Sequence, residues 1–195
     1  MEDEELLEAW RGGDTGAADT LIRRHFSAVQ RFFRNKAWGD CEDLTQVTFE
    51  RCVAGRDRFE GRSSFRAYLF SVARYVLFEH YRKKKAGAFD PAHSSVIDID
   101  ASPSQIVAGM QWQQAFLEAL REIPVEMQVV LELYYWEGLR THEIAEIVEV
   151  PRGTVKSRLH HARLQLKKRC EASGLDMKQP LSLPGWARDV EFAAA

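Results

Sequence analysis

Cysteine is scarce in this 195-residue chain, and the three present, Cys41, Cys52 and Cys170, are an odd number at wide spacings with no CxxC pair. Neither a disulfide framework nor a zinc knuckle is indicated, and ordinary reduced thiols are expected. No apolar run approaches the roughly 20 residues needed to cross a bilayer, so no membrane insertion is expected. The opening MEDEELLEAW is acidic where a secretory signal would be basic and then apolar, which points to a cytoplasmic protein. Alternating strand patterns of useful length and long internal repeats are both missing. So are the usual catalytic signatures. The histidines at 25, 80, 93, 142, 160 and 161 show no metal-binding spacing with matching ligands, and there is no Walker loop, GxGxxG or GxSxG. The sequence therefore offers no enzyme, no cofactor and no metal site.

What the chain does have is a strong partition of charge behind its formal net of −2. Residues 1–50 carry a net −5, 51–85 a net +7, 86–150 a net −9, 151–170 a net +7 and 171–195 a net −2. A uniformly basic protein would coat nucleic acid without discrimination. Two separated basic islands suggest instead two docking surfaces for phosphate.

Helical periodicity runs almost throughout. Leu6, Leu7 and Trp10 share a face before the GGD break at 12–14, and Leu21, Ile22, Val29, Phe32 and Phe33 continue the pattern. Asp40 is a candidate N-cap for the helix in DCEDLTQVTFERCVAG, with Glu42 and Asp43 in a first turn that favours anions. GRDRFEGRS (55–63) reads as a loop. Phe65, Tyr68, Leu69, Val72, Val76 and Leu77 then form a core stripe that runs into the cations Arg82 to Lys85. Residues 86–105 mix Pro, Gly, Ser and Asp without period, as an interdomain linker does. Further on, WQQAFLEALREI is helical, Pro124 opens VEMQVVLELYYWEG, and Gly138 is a candidate C-cap. A pair of helices at 141–149 and about 152–169 follows. The expected fold class is all-α: two small helical domains joined by a flexible linker, the C-terminal one with a helix-turn-helix.

The helix pair lies in IAEIVEVPRGTVKSRLHHAR, residues 144–163. Thr141 can cap the first helix, Ala145 allows a close crossing, and Val150 and Val155 fill the angle. In helix-turn-helix geometry the second helix enters the major groove. Here it offers Arg152, Lys156, Ser157, Arg158, His160, His161 and Arg163 with no acidic residue before Glu171. Glu149 stands at the sharp turn, where glycine is preferred. In the first basic island, 62–85, Phe65, Tyr68, Phe70, Tyr75, Phe78 and Tyr81 interleave with Arg62, Arg66, Arg74 and Arg82. Basic grooves with aromatic platforms hold single-stranded nucleic acid; aromatics at helical spacing equally well belong to a core. On these residues alone a second reading stands: a repressor or activator acting on duplex DNA, with 1–86 for dimerisation or sensing.

Taken together, DCEDLTQVTFERCVAGRDRFEGRSSFRAYLFSVAR and REIPVEMQVVLELYYWEGLRTHEIAEIVEVPRGTVKSRLHHARLQLKKR closely resemble an extracytoplasmic-function (ECF, group IV) sigma factor of the sigma-70 family. The resemblance covers about residues 5–170, with both segments in the family's order. It implies a polymerase specificity subunit with region 2 at 1–86, a linker at 87–109, region 4 at 110–172 and a tail at 173–195. By the same resemblance Asp43, Leu44, Gln46 and Phe49 dock on the clamp helices of the polymerase β′ subunit, and region 4 meets the β flap. The loop containing Arg58, Phe59, Arg62 and Ser63 resembles the one that captures a flipped −10 base, with Tyr68, Phe70, Arg74 and Tyr75 near the melted strand. Lys156, Ser157 and His160 would read the −35 element while Arg152, Thr154, Arg158 and Arg163 hold its phosphates. RNA polymerase core, promoter DNA and an anti-sigma factor are the implied partners. Two departures, Tyr75 where the family often has Asn and Ser71 where a basic residue is usual, keep the −10 sequence from being carried over.

Overall fold

In the computed structural model, the described residues are 1–59, 61, 63–86, 88–99 and 111–175. Among them the chain forms α-helices and 3-10 turns, with one isolated antiparallel bridge between Ser95 and Pro124.

The first four helices are α1 (Asp3–Arg11), α2 (Thr15–Arg34), α3 (Cys41–Gly55) and α4 (Phe65–Lys84). Their boundaries have local causes. Asp14 caps α2 by accepting from the backbone of Gly16 and Ala17, and Ser64 caps α4 by accepting from Ala67. Asp40 does stand at the start of α3, but its side chain makes no cap hydrogen bond. Its carboxylate turns to His80 and Lys84 on α4, each 3.4 Å away, so it ties α3 to α4 instead. Leu21, Val29, Phe33, Leu69, Phe70, Leu77 and Tyr81, all at 0% exposure, meet between the helices. A fully buried side chain of this size contributes roughly 1.5–3 kcal/mol of transfer free energy, so the packed faces of α2 and α4 dominate this half.

A short helix, α5 (Val96–Ile99), precedes α6 (Gln111–Arg121), α7 (Val125–Tyr135), α8 (Thr141–Val148) and α9 (Arg152–Ala172). Pro124 occupies the N-cap of α7, and α7 ends at Tyr135. Gly138 lies beyond that end with φ 64, which lets Leu139 N–H return to the Leu133 carbonyl at 3.0 Å. The cap of α8 is Arg140 rather than Thr141. Glu143 reaches back to accept from the Arg140 backbone at 2.8 Å, and the Thr141 hydroxyl accepts from Arg152 Nε at 3.0 Å instead. The turn residue Glu149 is left-handed, with φ 57 and ψ 43. Ile144, Ile147 and Val148 from α8 and Val155, Leu159 and Ala162 from α9 close the angle between the two helices.

The two halves are in contact. Lys36 and Glu132 form an ion pair that is almost wholly buried, and Tyr81 donates to the Lys36 carbonyl at 2.7 Å. Glu137 receives Arg31 at 3.3 Å and Arg66 at 2.6 Å. The early part of the expected linker takes part as well. Phe89 is buried against the rings of Phe78 and Tyr81, and the carbonyls of Pro91 and Ser94 accept from the backbone of Glu126 and Val125, both at 3.0 Å. Residues 87 and 100–109 of that linker, residue 110 and the tail from 176 on lie outside the described residues.

Candidate polymerase and nucleic-acid interface

Three surfaces carry residues with no structural need to be where they are. The first is an open groove of about 480 Å3 between α2 and α3, lined by Ile22, Phe26, Gln46, Phe49, Glu50 and Val53 among others. Phe26 remains 45% exposed and lies nearly parallel to Phe49, ring centres 6.0 Å apart. Exposed apolar side chains inside an acidic rim form a ready seat for an amphipathic, basic helix. Of the residues expected here, Gln46 and Phe49 line the groove, and Asp43 is exposed on the neighbouring turn. Phe49 is itself only 8% exposed and lines the groove from the core side, whereas Leu44, buried to the same extent on the inner face of α3, does not line it. Ile22, Phe26 and Val53 were missed by sequence reasoning; Phe26, an aromatic off the inner stripe of α2, was the available signal.

The second surface is the outer side of α4 and the segment before it. Tyr68 is half-buried and packs against Phe59, ring centres 4.9 Å apart and planes tilted by 35°. Its hydroxyl lies so close to Gly55 that a Cβ there would collide with it. Tyr75 is 56% exposed, with the Arg51 guanidinium over its ring at 5.4 Å. Ser63 is half-buried. Two expected strand contacts are core residues instead. Phe70, at 0% exposure, packs edge-on to Phe32, and Phe59, at 9%, lies beneath Tyr68 and Arg11. Neither offers a face to a base, since each sits where its helix or turn meets the bundle. Phe78 is likewise interior, at 4%. Arg74 lies against α8, its guanidinium 3.5 Å from the Ile147 carbonyl and 3.7 Å from the Glu149 carboxylate. The Arg58 side chain and Arg62 are outside the described parts of the structure.

The third surface is α9. Its apolar stripe of Val155, Leu159, Ala162, Leu166 and Cys170 is buried, which turns Arg152, Lys156, Ser157, His160 and His161 outward. Thr154 is half-buried at the N-terminal end. Ser157 donates to the Thr154 carbonyl at 2.9 Å, leaving its oxygen free to accept. Arg158 and Arg163 are not part of the outward row. Arg158 pairs with Glu126 on α7, and Arg163 approaches the Tyr135 hydroxyl at 3.4 Å, so both brace α9 from behind.

The thiols are unsuited to chemistry. All three cysteines are buried and unpaired; burial pushes Cys52 up to about 12 and Cys170 to about 11, which suppresses the thiolate. Among the described residues no group of His, Cys, Asp and Glu could hold a metal ion, and no helix is long and apolar enough to cross a membrane.

Comparison with known proteins fits these surfaces. Residues 19–87 match the family described as Sigma-70 region 2, and residues 113–166 match Sigma-70, region 4. The ECF RNA polymerase sigma factor SigW of Bacillus subtilis (strain 168) is 27% identical over 139 residues, covering 66% of this chain and 74% of the relative. The ECF RNA polymerase sigma-E factor of Escherichia coli (strain K12) is 25% identical over 177 residues, covering 84% and 91%. In fold the chain is similar to the sigma factor RpoE in complex with the anti-sigma factor NepR from Bartonella quintana, with TM-score 0.62, 24% identity and 78% and 96% of the two chains covered. It is also similar to CnrH in complex with the cytosolic domain of CnrY, with TM-score 0.67, 21% identity and 87% and 97% covered.

Two helical regions in this order, one bearing an open apolar groove and the other a helix-turn-helix with a basic outer row, define a sigma-70 family protein, and the chain belongs to that family. Within it the chain is an ECF sigma factor, an RNA polymerase subunit that directs promoter recognition and transcription initiation. A repressor with an unrelated sensing domain at 1–86 is not favoured, because that half is itself sigma region 2.

Proposed function

We propose that the two halves divide promoter recognition, region 2 over 1–86 and region 4 over 110–172, on a tether at 87–109. The groove between α2 and α3 receives the clamp helices of the polymerase β′ subunit. Asp43, Gln46 and Phe49 are contacts, and Leu44 supports them from beneath. Ser63, Tyr68 and Tyr75, with Arg58 and Arg62 from the preceding loop, hold the melted −10 strand, while Phe59 and Phe70 shape the surface under it and Arg74 braces α4 against α8. On α9, Lys156, Ser157 and His160 address −35 base edges while Arg152 and Thr154 take phosphate; Arg158 and Arg163 fix the helix to α7. Each half binds weakly alone, and the tether raises the effective concentration of the second contact. The protein does no catalytic chemistry of its own and works in the cytoplasm. The structures it resembles in complex with NepR and CnrY support an anti-sigma factor as its regulator.

The observation that carries this reading is the acid-free outward row Arg152, Lys156, Ser157, His160 and His161 on a helix whose opposite face is wholly core. Run-off transcription with core polymerase tests it. The expected result is a specific transcript from a candidate promoter that requires both core and this chain; duplex binding without core, and no transcript on any promoter, would reject it.

A further inference from the structure

The first helix precedes residue 19, where the match to region 2 begins, yet it makes a specific contact with the segment that leads into α4. At its last position, Arg11 donates from Nε and Nη2 to the Arg56 carbonyl at 3.1 and 2.8 Å, and from Nη2 to the Phe59 carbonyl as well. Its remaining nitrogen, Nη1, holds Glu8 at 2.5 Å, so each of the three guanidinium nitrogens has a partner. The Arg56 carbonyl belongs to the C-cap of α3 and that of Phe59 to the C-cap of the 3-10 turn Arg56–Arg58, two helix ends where backbone acceptors lose their regular partners. A planar fork of fixed donors can satisfy two such carbonyls at once, and its charge strengthens both bonds. Two ring contacts reinforce the clasp. The Arg56 guanidinium lies over Trp10 at 5.6 Å, and that of Arg11 lies 5.9 Å from the Phe59 ring. Phe59 in turn packs at a tilt against Tyr68. A continuous line thus runs from α1 through the turn to the aromatic surface of α4.

We propose that Arg11 is a positioning residue for single-stranded DNA: by clasping the Arg56 and Phe59 carbonyls it holds Phe59 against Tyr68, and so sets the tilt of Tyr68 and base selectivity at the −10 strand. The inference rests on the assignment of this surface to the melted strand. Arg11 itself touches no DNA. Ser64 caps α4 independently of Arg11, so loss of Arg11 leaves the start of that helix intact.

The test uses the full chain bound to core polymerase. A randomised pool of short single-stranded oligonucleotides is selected on the wild-type holoenzyme, and the best sequence and its single-base variants are then measured on Arg11→Ala and Arg11→Lys. Arg11→Ala is expected to lower affinity for the selected sequence about tenfold and to flatten discrimination among its variants. Affinity for core and for −35 duplex should stay the same. Arg11→Lys keeps the charge and the stem but cannot fork between two carbonyls, so it should retain stability while recovering selectivity only in part. Unchanged discrimination in Arg11→Ala, full recovery by Lys, or an equal loss of core, duplex and single-strand binding would each overturn the proposal. If the wild-type holoenzyme selects no sequence at all, the −10 assignment beneath it falls first, and this inference falls with it.

Discussion

Glu149 holds its backbone at φ 57 and ψ 43 between α8 and α9, a conformation that costs a residue with a Cβ about 1–2 kcal/mol. Its carboxylate gains little in return. It lies 3.7 Å from Arg74 with the side chain 82% exposed, and solvent screens a pair of that kind. Glycine removes the steric cost but adds freedom to the unfolded chain, which offsets part of the gain. Glu149→Gly should therefore stabilise the protein by about 0.5–1 kcal/mol, raising the melting temperature by a few degrees. An unchanged or lower midpoint in thermal unfolding would show that the contact with Arg74 outweighs the strain. Phe70 and Tyr75 make a second contrast between single residues. Phe70→Ala should cost about 3–5 kcal/mol because it empties a fully packed site. Tyr75→Ala should change stability by less than about 0.5 kcal/mol, while weakening single-strand binding by about 1–3 kcal/mol if a base stacks there. Denaturant unfolding and oligonucleotide binding on the same two variants separate the roles.

Among the elements, α9 was the most legible from sequence, because a single helix that is apolar on one side and acid-free on the other can bury only one face. Residues such as Lys156 and His160 fall outward by period alone. The same reasoning could not foresee that Arg158 turns to Glu126, since that choice is made by α7, a partner distant in sequence. On α4 the difficulty was greater. Phe70, Tyr75 and Phe78 all stand among cations in one stretch, and only α2 and the segment at Phe89 decide which of them become core. The groove between α2 and α3 was half-legible: Gln46 and Phe49 were found through the resemblance, whereas Phe26 needed the stacked geometry of two helices. Each surface yields its own expected outcome. Asp43→Arg places a cation beside the acidic rim of the groove and should lower core affinity at least tenfold with the fold intact, as a pull-down with core and circular dichroism would show. Lys156→Ala should weaken −35 duplex binding and reduce the slope of log affinity against log salt by about 1 if the ammonium contacts phosphate. An unchanged slope with relaxed base preference would assign it to a base edge instead.

At the scale of the whole molecule, the two halves share one apolar core, and buried charge lies within their junction. Lys36 at 0% and Glu132 at 3% exposure pair in the junction, with Glu137, Arg31 and Arg66 around them. Burial of such a pair costs several kcal/mol per ion, and mutual attraction returns that only when geometry is good. The pair therefore specifies how the halves register more than it holds them together. Lys36→Met and Glu132→Leu singly should each destabilise by about 3–5 kcal/mol, whereas the double variant should be near wild type or better, because no lone buried charge remains. The pH dependence has a definite sign. Burial lifts the Glu132 carboxyl from its ordinary 4.5 to about 7 and lowers the Lys36 ammonium, against the opposing pull of each on the other. A carboxyl raised on folding contributes stability that is whole below its unfolded value and is lost as pH climbs through its folded one. The advantage of wild type over Glu132→Gln should thus shrink between about pH 4.5 and 7. In the variant Lys36 loses its anion and sheds its proton at still lower pH, a change that gains stability with rising pH and so acts in the same direction. Melting curves of the two proteins across that window would decide it, and a gap that widens with pH would mean that Glu132 is held ionised by Lys36 throughout.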